Sequence, residues 1–214
     1  MLQLDPGQDV LLVVDVQRDF LPGGALAVPD GEAVVGPVNR LGRLFAHVVL
    51  TQDWHPPGHV SFAASHSGRL PFSTVTMPYG QQVLWPTHCV QGTDGAAFAL
   101  GLDLPRAELV VRKGFRQGMD SYSAFMEADR RTPTGLAGYL RERGLHRVFL
   151  AGLATDFCVG WSAMDASAAG FEAWVVEDAC RGIDADGSLA RAWTAMRAAG
   201  VGRVGVAGLW QGAV

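Results

Sequence analysis

The sequence predicts an α/β fold: a mainly parallel six-stranded sheet with helices on both faces. Two observations carry that expectation. Short apolar runs alternate along the chain with segments of helical periodicity, as in chains built from repeated strand–helix units. The runs are apolar at successive positions rather than at every second one, which suits strands buried on both faces. Taken in order, Asp9–Val16 (DVLLVVDV) reads as the first strand. Glu32–Phe45 has helical spacing, interrupted by Pro37. His47–Gln52 is a second strand and Glu108–Arg112 a third. Thr134–Arg143 is a helix that stops at Gly144, and Arg147–Ala151 is the fourth strand. Asp156–Ala169 is a helix ended by Gly170, a C-terminal cap signal. Glu172–Glu177 is the fifth strand, Asp186–Ala199 a helix ended by Gly200, and Arg203–Val206 the sixth strand.

The 214 residues, 49% hydrophobic and 18% charged, are enough for a sizeable core and fit one domain over 1–214. A net charge of −4 offers no basic face for nucleic acid. The N-terminus, MLQLDPGQDV, has Asp5 and Pro6 where a signal peptide needs a basic stretch and then an apolar one. Val10–Val14 is far short of the roughly 20 apolar residues that span a membrane. The expectation is a cytoplasmic protein with neither a membrane nor a nucleic-acid partner. The three cysteines, Cys89, Cys158 and Cys180, are too few and odd in number for a disulfide framework, so at least one thiol is free. One stretch breaks the rhythm. Residues 53–105 show no strong helix or strand, yet hold most of the histidines. The tryptophans there argue against disorder, so this long loop is expected to carry function.

In open parallel sheets, ligands bind beyond the carboxyl ends of the strands. The residues found there are Asp15, Asp53 with His55, Lys113, Cys158 and Asp178. Each alone has an ordinary reading as a cap or a solvated charge. Their convergence on one sheet edge favours chemistry. Cys158 follows a strand in Leu153-Ala154-Thr155-Asp156-Phe157-Cys158, near the start of a helix that Thr155 or Asp156 can cap. The helix dipole, free N–H groups and a nearby Lys113 would favour its thiolate, and the same N–H groups can hold an oxyanion. Asp15, following the apolar VLLVV run, could be buried, take the thiol proton and later return one to a leaving amine. Lys113 could orient that pair.

A second constellation is Asp53-Trp54-His55 with His88. In an extended segment, residues i and i+2 point the same way, so Asp53 and His55 can face one ion. One carboxylate and two imidazoles suit zinc, iron or manganese, with positions left open. His59 is a further candidate ligand. His47, His66 and His146 are expected to have no functional role. Phe20, Trp85, Tyr122 and Phe157 could form a flat slot for a small planar ligand.

These segments resemble the nicotinamidase branch of the isochorismatase-like hydrolases. The resemblance rests on VVDVQRDF, TQDWHPPGHVSF, WPTHCVQGT, VVRKGF, DSYSAF and GLATDFCV, which are collinear and cover nearly the whole chain. It implies the isochorismatase-like fold and a catalytic triad of Asp15, Lys113 and Cys158. It implies a turn with a non-proline cis peptide at Leu153-Ala154-Thr155, and an oxyanion hole from the N–H groups of Ala154 and Cys158. It implies one divalent ion, zinc first and iron or manganese as alternatives, on Asp53, His55 and His88, contacting the pyridine nitrogen of nicotinamide. His59 matches a fourth ligand of some members. Phe20, Trp85, Tyr122 and Phe157 fall at or near pocket positions. The implied reaction is nicotinamide to nicotinate and ammonia through a Cys158 thioester, serving NAD salvage, with pyrazinamide as a side substrate. Members occur as monomers and as larger assemblies, so a homo-oligomer is allowed. Superfamily hydrolases of other amide, carbamoyl or ureido groups generally lack the metal triplet, and relatives acting on isochorismate lack the cysteine. A non-catalytic binding protein would have an unreactive thiol, and a thiol redox role would call for a C-x-x-C pair.

Overall fold

The computed structural model describes residues 1–211, so 212–214 of the expected domain lie outside the described residues. A short strand, β1 (Leu2–Leu4), precedes β2 (Asp9–Val14), every residue of which is buried. Helix α1 (Val35–Leu44) leads to β3 (His47–Asp53). A long excursion contains β4 (Thr74–Met77) and β5 (Gly80–Val83), and ends in β6 (Ala107–Lys113). Helix α2 (Leu136–Glu142), β7 (Arg147–Leu153), α3 (Gly160–Ala168) and β8 (Glu172–Arg181) follow. Helix α4 (Ser188–Ala198), β9 (Gly202–Val204) and β10 (Leu209–Gln211) complete the described chain.

Six strands form the central sheet in the order β6-β3-β2-β7-β8-β9, and every neighbouring pair is parallel. The chain moves outward from β2 through β3 to β6, returns to β7 beside β2, and moves outward again through β8 to β9. The winding therefore reverses between β2 and β7, the switch point where such sheets open a crevice. Alternation along the strands feeds two cores. Leu11 and Val13 of β2 share one with Val38 and Leu41 of α1. Val10, Leu12 and Val14 share the other with Leu136 and Leu140 of α2, Ala163 and Ala166 of α3, and Met196 of α4. Each large aliphatic side chain so buried contributes about 1.5–3 kcal/mol. The successive apolar positions in the sequence thus reflect a sheet covered on both faces.

Several boundaries differ from the sequence reading, for local reasons. Strand β2 stops at Val14 because Asp15 turns the chain with φ 48°. Pro37 does not interrupt its helix: α1 begins at Val35, so the proline sits in the first turn, where no i→i−4 bond within the helix is required. Strand β8 runs on to Arg181, so Asp178 lies within a strand and accepts the Val206 N–H at 2.8 Å, apart from the other strand-end residues. The 53–105 stretch is not wholly irregular, since β4 and β5 form an antiparallel hairpin and Ala63–Ser65 a 3-10 turn. β1 and β10 pair in parallel away from the main sheet; three residues are too few to show a period. Among the described residues no helix is long and apolar enough to cross a membrane.

Gly152 pairs with Val14 across the switch point at φ 118°, and a Cβ there would lie 2.1 Å from the Val14 carbonyl oxygen. Gly152→Ala is therefore expected to destabilise the fold by about 2–4 kcal/mol. Denaturant unfolding checks this; a loss below about 0.5 kcal/mol, the scatter of neutral surface changes, would mean the two strands have room to separate.

Candidate active site

Asp15 leaves β2 at the switch point, its carboxylate fully buried. Thr51 of β3 clamps it twice, donating its hydroxyl to Oδ1 at 2.6 Å and accepting the Asp15 N–H at 3.2 Å. The β3–β6 register sets Lys113 beside Asp53. The buried Lys113 ammonium donates to Asp53 Oδ1, to the Ser121 carbonyl at 3.3 Å and toward Cys158 Sγ at 3.6 Å. Asp15 Oδ2 lies 2.8 Å from the same ammonium, completing a buried ion pair. Oxygens of Asp15 and Asp53 and the Cys158 sulfur all lie within 4.8 Å of one another.

One cation faces two carboxylates here, and the two respond oppositely. Burial dominates at Asp15 and raises its carboxyl above the usual range against the pull of Lys113. Burial also acts on Asp53, but Lys113 with His55 and His88 outweighs it and holds that carboxyl well below the usual range. Burial disfavours the Lys113 ammonium, yet the two carboxylates hold it charged well past the ordinary lysine value. Asp15 is thus the carboxyl poised to exchange a proton. The Cys158 thiol is pushed well above its ordinary value, chiefly by burial, with Lys113 pulling the other way. This corrects the expectation of a thiolate stabilised by its helix start. Desolvation wins, so the sulfur needs a neighbour to receive its proton. Cys158 sits in a π-helical turn, Thr155–Val159, ahead of α3, and neither Thr155 nor Asp156 caps that helix. The Leu153–Ala154 peptide is cis, as the resemblance implies.

Beyond β3, the far end of the long loop is tied back by two hydrogen bonds. His55 N–H donates to the Cys89 carbonyl at 3.0 Å, and Gln91 N–H to the His55 carbonyl at 2.9 Å. His88 is brought beside Asp53 and His55 in this way. His55 Nδ1 lies 3.0 Å from the Gly114 carbonyl and His88 Nδ1 2.8 Å from the Pro86 carbonyl. A carbonyl only accepts, so each Nδ1 carries the hydrogen and each Nε2 is left as a donor atom for an ion. The two Nε2 atoms lie 3.6 and 3.8 Å from Asp53 Oδ2. This buried set fits a divalent transition ion with open positions. His59 falls outside this cluster and instead groups with His55 and Asp120, whose ligand atoms lie within 4.8 Å of one another. Its Nδ1 meets Ser61 Oγ at 2.7 Å, its Nε2 meets the Met119 carbonyl at 3.1 Å, and its ring stacks on His55. As the rings stand, His59 neighbours the triplet without being a fourth member. His47 pairs with Glu108 and His66 with the Val60 carbonyl, while the His146 N–H bonds Gln8, all away from the triplet.

Both halves open into one cavity. Phe20, Trp85, Tyr122 and Phe157 all line it, together with Ala154, Cys158 and the Asp53, His55 and His88 triplet. Trp85 packs edge-on against Phe157 at 4.8 Å and donates Nε1–H to the Tyr122 hydroxyl at 3.0 Å. Leu26, Asp120 and Ile183 also line the wall and were not foreseen. Asp120 accepts the Ser121 N–H and Gln82 Nε2, each at 2.8 Å. It lies in the DSYSAF segment, where the tyrosine alone drew attention. Thr51 was missed too; a polar residue inside an apolar strand was the available signal.

Residues 9–206 match the model of the Isochorismatase domain family. The chain is 57% identical over 194 residues to a nicotinamidase of Acinetobacter baylyi, covering 91% of each. Among solved structures, an Acinetobacter baumanii nicotinamidase/pyrazinamidase superposes with a TM-score of 0.94 at 54% identity, covering 95% of this chain and 99% of that one. The pyrazinamidase of Pyrococcus horikoshii in complex with zinc has a TM-score of 0.75 at 36% identity, covering 92% and 99%.

Gly114 adopts φ 60°, and a Cβ there would meet the His55 ring 2.3 Å away. Gly114→Ala should therefore displace His55 and its carbonyl support, weakening metal affinity by about 10–100-fold. Chelator competition measures this; unchanged affinity would remove His55 from the ion site.

Proposed function

The chain belongs to the isochorismatase family, and from that membership and the geometry of its site we infer that it is a nicotinamidase, converting nicotinamide to nicotinate and ammonia. One observation carries the reading. A cysteine beside a buried aspartate–lysine pair shares an aromatic slot with an Asp-His-His triplet, so a reacting carboxamide and its ring nitrogen each find a partner.

Cys158 Sγ attacks the amide carbon as its proton passes to the Asp15 carboxylate, which lies within 4.8 Å of the sulfur. The oxyanion that forms is held by the N–H groups of Ala154 and Cys158. Asp15 returns the proton to the nitrogen, the C–N bond breaks, and ammonia departs from a thioester. Water then attacks the thioester carbon while Asp15 takes its proton. The C–S bond breaks, nicotinate leaves, and the proton returns to sulfur. Lys113 keeps Asp15 beside the sulfur throughout and balances the charge that develops. Trp85, Phe157, Tyr122 and Phe20 flank the ring and exclude water, making attack effectively unimolecular.

Asp53, His55 and His88 would hold one divalent transition ion. Zinc is the first choice given the zinc complex of the similar pyrazinamidase, with iron or manganese as alternatives. When bound, the ion supplies a Lewis-acidic contact for the pyridine nitrogen. Pyrazinamide carries the same carboxamide on a diazine ring and is the expected second substrate. The proposal extends to a cytoplasmic enzyme supplying nicotinate to NAD salvage, free of nucleic-acid or membrane partners and able to form a homo-oligomer.

Ammonia release across nicotinamide, pyrazinamide and several aliphatic amides tests the substrate class, with turnover expected on the two aromatic amides. Equal turnover of aliphatic amides would overturn it. Cys158→Ala is expected to lower nicotinamide turnover by about 10⁴-fold or more with metal content unchanged. Substantial ammonia release by this variant would exclude the thioester route.

A further inference from the structure

Asp156 lies two residues before the nucleophile, with its carboxylate buried. It does not cap the helix it precedes. Its acceptors serve another segment instead. Oδ1 accepts the Ile183 N–H at 2.9 Å, and Oδ2 accepts the Asp184 N–H at 2.8 Å and the Ser188 hydroxyl. All three donors lie in 182–188, the connection from β8 together with Ser188, the first residue of α4. That connection holds an unusual path: Asp184, Asp186 and Gly187 have φ of 54°, 50° and 76°. Two left-handed aspartates in four residues are a conformation that L side chains seldom adopt, so the path depends on ties from outside. The side-chain bonds of Asp184 to Leu189 N–H, and of Arg191 to the Asp186 carbonyl, stay within the connection and α4. Among the described residues, the side chain that fastens it to the nucleophile turn is Asp156. The connection carries one residue into the cavity: Ile183 lines it and packs against the apolar cluster containing Phe20 and Leu26.

We propose that Asp156 is a positioning residue that latches the 182–188 connection onto the nucleophile turn, and that Ile183, held by this latch, is the wall that sets how tightly the cavity grips its ring-shaped substrate. A carboxylate suits the task, because two oxygens can take three donors while carrying charge. An asparagine of the same shape offers one oxygen and must release the others. The role of Ile183 follows from its chemistry. It has no group to exchange protons or stabilise charge, so its contact with the ring is the same in ground and transition states. Loss of such a contact raises KM and leaves kcat nearly unchanged. The three bonds of the Asp156 carboxylate all run to the segment that carries Ile183, so the two effects are expected to share one path.

The proposal rests on the nicotinamidase reading, and the test separates the two. Wild type, Asp156→Asn, Ile183→Ala and the double variant, all metal-loaded, are compared by nicotinamide kinetics. Cys158 alkylation by iodoacetamide and by the bulkier N-phenylmaleimide is followed in parallel, with mass spectrometry assigning the modified cysteine. Each single variant is expected to raise KM about tenfold, the order expected when an apolar pocket contact is lost, with kcat within about threefold. The double variant should be no worse than Ile183→Ala alone, because the latch acts through the wall. The maleimide-to-iodoacetamide rate ratio should rise about fivefold or more in each variant as the mouth widens. Additive KM effects, a fall in kcat at constant KM, or an unchanged alkylation ratio would overturn the latch. If wild type releases no ammonia from nicotinamide, the functional reading fails, and the alkylation ratio alone decides the latch. Should Asp156→Asn not fold, Ser188→Ala replaces it, removing one donor, with a KM rise of about threefold expected.

Discussion

The Lys113 ammonium, with 1% of the residue's surface exposed, is held between the carboxylates of Asp15 and Asp53. Burying an ion costs several kcal/mol, recovered only with close, well-satisfied partners. The sheet register supplies those partners. Asp53 and Lys113 end adjacent strands in pairing register, and Asp15 leaves the next strand over. Two anions on one cation cannot both be fully compensated. Asp53 has two histidines as well and stays ionised, while Asp15 has no such help and is driven toward its neutral form. One ion pair therefore separates a carboxylate held ionised on the histidine side from one shifted toward protonation on the sulfur side. The rule that diverging pKa values mark acid–base roles applies directly.

Topology decides why these groups meet. Strands β2 and β7 are neighbours in space though far apart in sequence, and the winding reverses between them. The chain leaving β2 delivers Asp15, and the chain leaving β7 delivers the π-helical turn with Cys158. On the other side, β3 and β6 deliver Asp53 and Lys113 to the same edge. The long segment between β3 and β6 returns to bring His88 beside His55. Loops can build this site because the four parallel strands under them are fixed in register and three of them, β2, β3 and β7, are buried on both faces.

Much of this was legible in the chain. The strands were readable because double-sided burial leaves continuous apolar runs. Asp15, Asp53 and Lys113 were readable because a strand end is visible where such a run stops at a charge. Other features were not. Asp178 looked like another strand end, but the strand continues through it, since pairing with β7 resumes after an irregularity and extends β8 to Arg181. His59 had the spacing of a ligand, yet Ser61 and Met119 take its nitrogens. The β4–β5 hairpin was not legible because each strand is four residues long, so the polar–apolar alternation of Thr74–Met77 covers only two repeats.

The sequence by itself determined the parallel α/β architecture, the aspartates, histidines, lysine and cysteine that gather at one sheet edge, and the aromatics of the slot. These are local properties, written in runs and motifs a few residues long. Only the tertiary structure decided their states and their partners. The Cys158 thiol is high rather than low because desolvation outweighs Lys113, and desolvation depends on residues from the whole fold. Thr51 clamps Asp15, and Asp156 ties the β8–α4 connection, across 36 and 27–32 residues of sequence respectively. A hydrogen bond between groups so far apart leaves no local pattern, because it exists only once the strands beneath both partners have taken their register.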